Sequence, residues 1–97
     1  MKTSFPLIKN LMGAYLNQDY DYICETDSIE GAMDYYISDC PAGVLAELID
    51  EFELFLSNYP DNPDKAFEEI FQPGIIITDI RAFFGVFTHK IIGAGKR

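Results

Sequence analysis

The sequence has no tryptophan, one histidine and two cysteines, and between Asn10 and Asp64 it has neither lysine nor arginine. Each shortage excludes something. His89 is the one histidine and lies among largely apolar neighbours, so it has no evident partner for acid and base work. No phosphate loop, nucleophile elbow, zinc signature or dinucleotide fingerprint stands in for it, and the chain reads as a non-enzyme with no cofactor. Cys24 and Cys40 lack the CxxC spacing of a metal or redox pair and read as buried thiols. Nothing approaches the roughly 18 to 20 apolar residues of a membrane span. Near the start, Lys2 is followed by Pro6 and Lys9, which interrupt any apolar run. No secretory leader is read there, and a cytoplasmic location with reduced thiols is expected.

The missing bases matter most. Those present are Lys2, Lys9, Lys65, Arg81, Lys90, Lys96 and Arg97, whereas the stretch from Asn10 to Asp64 holds thirteen acids and no base, a local charge of -13 in a chain of net -9. A field of one sign repels phosphates, which argues against direct nucleic-acid binding, and it favours a basic protein as partner. With 48% of its residues hydrophobic and 14% aromatic, the chain still has the means to fold, and its 97 residues suffice for one soluble domain.

Apolar spacing predicts an all-α fold, a single compact domain of about five helices spanning residues 1–97. Pro6 suits the first turn of a helix beginning after Ser4, and Leu7, Ile8, Leu11, Met12, Tyr15 and Leu16 follow on one stripe, with Gly13 read as a close-packing position. Asp27 and Glu30 have capping-box spacing at the start of a second helix near Ser28. That helix should bury Ile29, Ala32, Met33, Tyr36, Ile37 and Cys40 and leave Glu30, Asp34, Tyr35 and Ser38 outside. Pro41 ends it and opens a third helix to about Asn58, with Leu45, Leu48, Ile49, Phe52, Phe55, Leu56 and Tyr59 inward and Glu47, Asp50, Glu51 and Glu53 outward. Asn62 is the expected cap of a fourth, which turns Ala66, Phe67, Ile70 and Phe71 inward. After Pro73, Gly74 and a short isoleucine connector, Thr78 is the expected cap of the fifth. Its stripe of Ile80, Phe83, Phe84, Phe87 and Ile91 is the most hydrophobic in the chain and should pack on the first and third helices.

Between the first two helices runs an acidic, aromatic loop from Asp19 to Asp27. Read as a calcium loop starting at Asp19, it fails, because Ile23 falls at a ligand position and Cys24 where the sharp turn needs glycine. No metal is expected. Asp19 is expected to bond free amides in the turn after the first helix. The candidate partner-binding residues are Asp19, Tyr20, Asp21, Tyr22, Glu25, Asp27, Glu30, Asp34 and Tyr35, the acids for electrostatic capture and the tyrosines for contact area.

Phe5, Pro6 and Leu7, the run from Gly13 to Tyr20, and a late helix carrying Arg81 and aromatics together resemble the small all-α immunity proteins of bacterial contact-dependent growth inhibition systems. In that family the first helix ends in a small residue, Tyr, an aromatic, any residue, Gln, Asp and an aromatic. Tyr15, Gln18, Asp19 and Tyr20 match; Leu16 stands where an aromatic is usual, and Tyr20 where tryptophan is frequent. The resemblance implies a cytoplasmic protein that binds the C-terminal domain of a cognate toxin, often a nuclease with a basic substrate site, and occludes it. The charge pattern taken alone fits any basic partner, and so also a small acidic helical adaptor or subunit.

Overall fold

The computed structural model describes residues 5–24, 26–75 and 77–95, and among these every regular element is helical. In chain order they are α1 (Pro6–Asn10), α2 (Tyr20–Ile23), α3 (Ile29–Asp39), α4 (Ala42–Asn58), α5 (Pro63–Phe71) and α6 (Ile80–Gly93). Pro6 occupies the first turn of α1, which runs directly into a π-helical stretch, Leu11–Tyr15. The Leu16 amide closes that wider turn on the Leu11 carbonyl at 2.8 Å. The two segments together bury Ile8, Leu11, Met12 and Leu16. Gly13 corrects the close-packing expectation: it is exposed, and a β-carbon there would meet nothing within 4 Å.

A helical turn, α2, stands where a loop was expected. The Asp19 carbonyl accepts from the amides of Tyr22 and Ile23, both at 3.0 Å, while half-buried Tyr20 and Ile23 and buried Cys24 rest on the core at helical spacing. The cap of α3 lies one residue later than its spacing suggested. Ser28 Oγ accepts the Gly31 amide at 2.9 Å, so Asp27 and Glu30 form no capping box. The cap of α5 falls at Asn62 as expected but without its side-chain bond, and the cap of α6 shifts. Asp79 rather than Thr78 caps α6, accepting the Ala82 amide at 3.1 Å. Asp64 of α5 reaches across to accept the Ile80 amide at 2.6 Å, so two carboxylates serve the free donors at the start of α6.

The most hydrophobic helix is the hub. Ile80, Phe83, Phe84, Phe87 and Ile91 of α6 are all buried, and the helix packs on α3, α4 and α5. α1 lies mainly on α4, so the main neighbours of α6 are α3, α4 and α5 and not the first helix that the sequence suggested. Phe84 stacks on Phe52 of α4 with centroids 4.1 Å apart and planes 11° from parallel, and Phe87 meets Tyr36 of α3 edge-on at 5.9 Å. Phe55 lies edge-on to Phe5 and Phe67 at 5.3 and 5.7 Å, joining α1 and α5 to the same core. Offset and edge contacts of this kind add to what burial alone contributes. Ile70, expected inside, is exposed. α5 ends at Gln72 in the left-handed region (φ 45°), just ahead of Pro73.

Glu51 is the largest departure from the outward face assigned to the acids of α4. It is 8% exposed, and its carboxylate accepts the Leu7 and Ile8 amides. The need comes from α1, whose first amides have no intrahelical acceptor and lie against α4, away from water. A carboxylate from the facing helix satisfies them.

Candidate functional site

α2 packs beside α3, which brings the acidic segment and the outer side of the second long helix onto one part of the surface. Asp19, Asp21, Asp27, Glu30 and Asp34 are exposed there; Glu25 lies outside the described residues. Asp21 bends its carboxylate back to its neighbour, accepting the Tyr22 amide at 2.9 Å. That leaves Tyr22 projecting, 87% exposed, from a turn whose other outward groups are acids. Tyr20 is half-buried and anchors α2 to the core. Tyr35 is 38% exposed.

Two of these residues are tied into wider contacts. Tyr35 lies 6.2 Å, ring to ring, from Tyr15, which meets buried Tyr36 edge-on at 4.7 Å. The Tyr15 hydroxyl donates to Asp39 Oδ2 at 2.6 Å, and the carboxylate that receives this proton pushes the phenol up to about 12. Asp34 pairs with Lys90 of α6 at 3.1 Å, so its charge is locally offset, while Asp19, Asp21, Asp27 and Glu30 have no such ion pair among the described residues. The structure thus groups the candidate residues but distinguishes an ion-paired acid from the others.

Little else on the molecule suggests chemistry. Burial pushes the Cys24 thiol above its ordinary range, which lowers its thiolate fraction, and Cys40 is half-buried. His89 is exposed on α6. Among the described residues no group of three or more His, Cys, Asp or Glu side chains is placed to hold a metal ion, and no helix is long and apolar enough to cross a membrane.

A protein-family model described as CdiI immunity protein matches residues 4–90. The chain belongs to this family. Its function is therefore immunity against a toxin of contact-dependent inhibition, with that toxin as partner. No curated protein and no solved structure matched the chain.

Two residues of the motif at the end of the first helix, Tyr15 and Gln18, are built into the scaffold. Tyr15 ties the segment to α3 through Asp39, and the backbone of Gln18 packs so closely on Gly74 that a β-carbon there would lie 2.6 Å from the Gln18 nitrogen. The turn role expected of Asp19 belongs to Asn17. Its Nδ2 donates to the Gly13 carbonyl at 2.7 Å and its Oδ1 accepts the Asp19 amide at 2.8 Å, while the Asp19 side chain makes no cap bond. Sequence reasoning also passed over a cleft of about 270 Å³ between α3 and the start of α6, lined by Ile29, Met33, Phe83 and Val86 with Glu30 and Asp79 among its polar residues. The available signal was Val86, an apolar residue lying off the buried stripe of α6 and 40% exposed.

Proposed function

We propose that the chain neutralises a basic nuclease toxin domain by covering its substrate site with the face formed by α2 and the outer side of α3. The carrying observation is Tyr22, almost wholly exposed on a turn flanked by Asp19 and Asp21. An aromatic ring left in water is a ready anchor for a partner, because tyrosine brings large contact area at small conformational cost. The surrounding acids match what a nuclease must display, since a site that grips phosphates is positive. Asp19, Asp21, Asp27 and Glu30 supply charge that no ion pair among the described residues offsets, with Tyr22 and Tyr35 as contact residues. Asp34 contributes less charge because of Lys90. A titration of the purified chain into a nuclease assay of the toxin domain tests this. Inhibition should reach completion near one-to-one stoichiometry and be competitive with nucleic acid. A complex that still cleaves its substrate, or a toxin that attacks no nucleic acid, sinks the reading.

A further inference from the structure

The cleft between α3 and α6 has apolar walls and an acidic margin. Ile29 and Met33 face Phe83 and Val86 across it, Ile77 adds to its apolar lining, and Glu30 and Asp79 supply carboxylates. Neither acid has a cation among the described residues. The two bases described on α6 are committed elsewhere, Arg81 donating to the Pro60 carbonyl and Lys90 paired with Asp34. A second copy of the same acidic chain is a poor occupant, because it brings further negative charge to a negative rim. The lining instead matches a side chain that is aliphatic along its stem and cationic at its tip, which lies along apolar surface while its head stays in water.

We propose that this cleft seats a lysine or arginine side chain of the toxin domain, its stem on Met33 and Val86 and its charged head beside Glu30 and Asp79. The inference rests on the reading of the protein as a cover for a basic toxin and adds a specific socket to it. Glu30 belongs both to the α3 face and to the cleft, so the socket is continuous with that face.

The test measures binding of the full chain to its cognate toxin domain, with helicity and melting temperature recorded for each variant. Ala82, exposed on the cleft wall, is replaced in Ala82→Trp to fill the socket, and affinity should fall about tenfold or more with the fold unchanged. Val86→Ser strips one wall without adding bulk, giving about threefold, and guards against a folding defect in the larger substitution. Glu30→Gln should cost about threefold and couple non-additively to alanine replacement of one toxin lysine or arginine. Tyr22→Ala serves as a control on the α2 face. Wild-type affinity in Ala82→Trp and Val86→Ser, with binding weakened by Tyr22→Ala, overturns the socket and leaves the α2 face standing. Absence of binding by the wild type, or binding indifferent to salt and to Tyr22→Ala, overturns the reading beneath it and the socket together.

Discussion

Glu51 and Ile8 stand 43 residues apart in sequence, yet the Ile8 amide donates to the Glu51 carboxylate at 3.0 Å, with the Leu7 amide donating to the same group at 3.1 Å. The first helix is thus capped from outside, by a side chain of the longest helix. Glu51→Ala should destabilise the protein by about 2 to 3 kcal/mol, because two amides packed against α4 lose their acceptor. Glu51→Gln keeps one acceptor oxygen but loses the charge assistance and the second acceptor of the Leu7 amide, so a smaller cost of about 1 to 2 kcal/mol is expected. Urea unfolding gives both values; equal midpoints for wild type and Glu51→Ala would rule out the cap.

Gly13 and Gly74 should respond in opposite directions to alanine. Gly13 is exposed with open space around it, so Gly13→Ala removes backbone freedom from the unfolded chain and should stabilise by about 0.5 to 1 kcal/mol. At Gly74 the added carbon would sit 2.6 Å from the backbone nitrogen of Gln18, which cannot swing aside as a side chain can. Gly74→Ala should cost at least about 1 kcal/mol. Thermal melts of the two variants settle the contrast, and a neutral Gly74→Ala would mean that the turn after the first helix is free to shift.

Asn17, not Asp19, holds that turn. Asn17→Ala loses bonds to both the Gly13 carbonyl and the Asp19 amide and should cost about 1 kcal/mol. Asp19→Ala, exposed and without a cap bond, should stay within about 0.5 kcal/mol of wild type. Reversed magnitudes in denaturant unfolding would restore the carboxylate to the structural role.

The Tyr15 phenol, which Asp39 and partial burial raise from 10.0 to about 12, links stability to alkaline pH. A folded-state value above the unfolded one means that the native state holds this proton more firmly. The contribution is complete below pH 10 and is lost as pH rises through about 12. The stability gap between wild type and Tyr15→Phe should therefore narrow across that window, with the other alkaline titrations common to both proteins. A gap that stays constant from pH 9 to 12 would show that the hydrogen bond contributes no linkage.

Helix type and most of the buried stripes were legible because they follow from local spacing. Phe83, Phe84, Phe87 and Ile91 recur at helical intervals, and no tertiary information is needed to see that they share a face. Glu51 was not legible, since its burial depends on where the amides of a helix 43 residues earlier come to rest. The cap positions slipped for a related reason. Ser28 and Asp79 won over Asp27 and Thr78, neighbours of comparable capping strength, and a one-residue shift between such neighbours lies below what propensity resolves. Within the candidate site, exposure of the acids could be read from charge alone, but the pairing of Asp34 with Lys90 joins two helices 56 residues apart and could not.

That pairing makes the proposed binding face testable in parts. Charge steers association and aromatic contact slows dissociation, so substitutions of the two kinds should separate kinetically against the toxin domain. Asp21→Lys and Asp27→Lys should each slow association by several-fold, up to about tenfold at low salt, and flatten its salt dependence. Asp34→Asn should alter association less than Asp21→Asn, since Lys90 at 3.1 Å already cancels much of the Asp34 field. Tyr22→Ala should leave association nearly unchanged and raise the dissociation rate about tenfold or more, as loss of a central aromatic does. Stopped-flow association and surface-based dissociation measurements separate the two rates. If association ignores these reversals but still falls with salt, the steering charge lies on another face. The exposed Glu47, Asp50 and Glu53 of α4 then become the acids to reverse, two of them beside the groove that Pro6, Leu7 and Leu54 line.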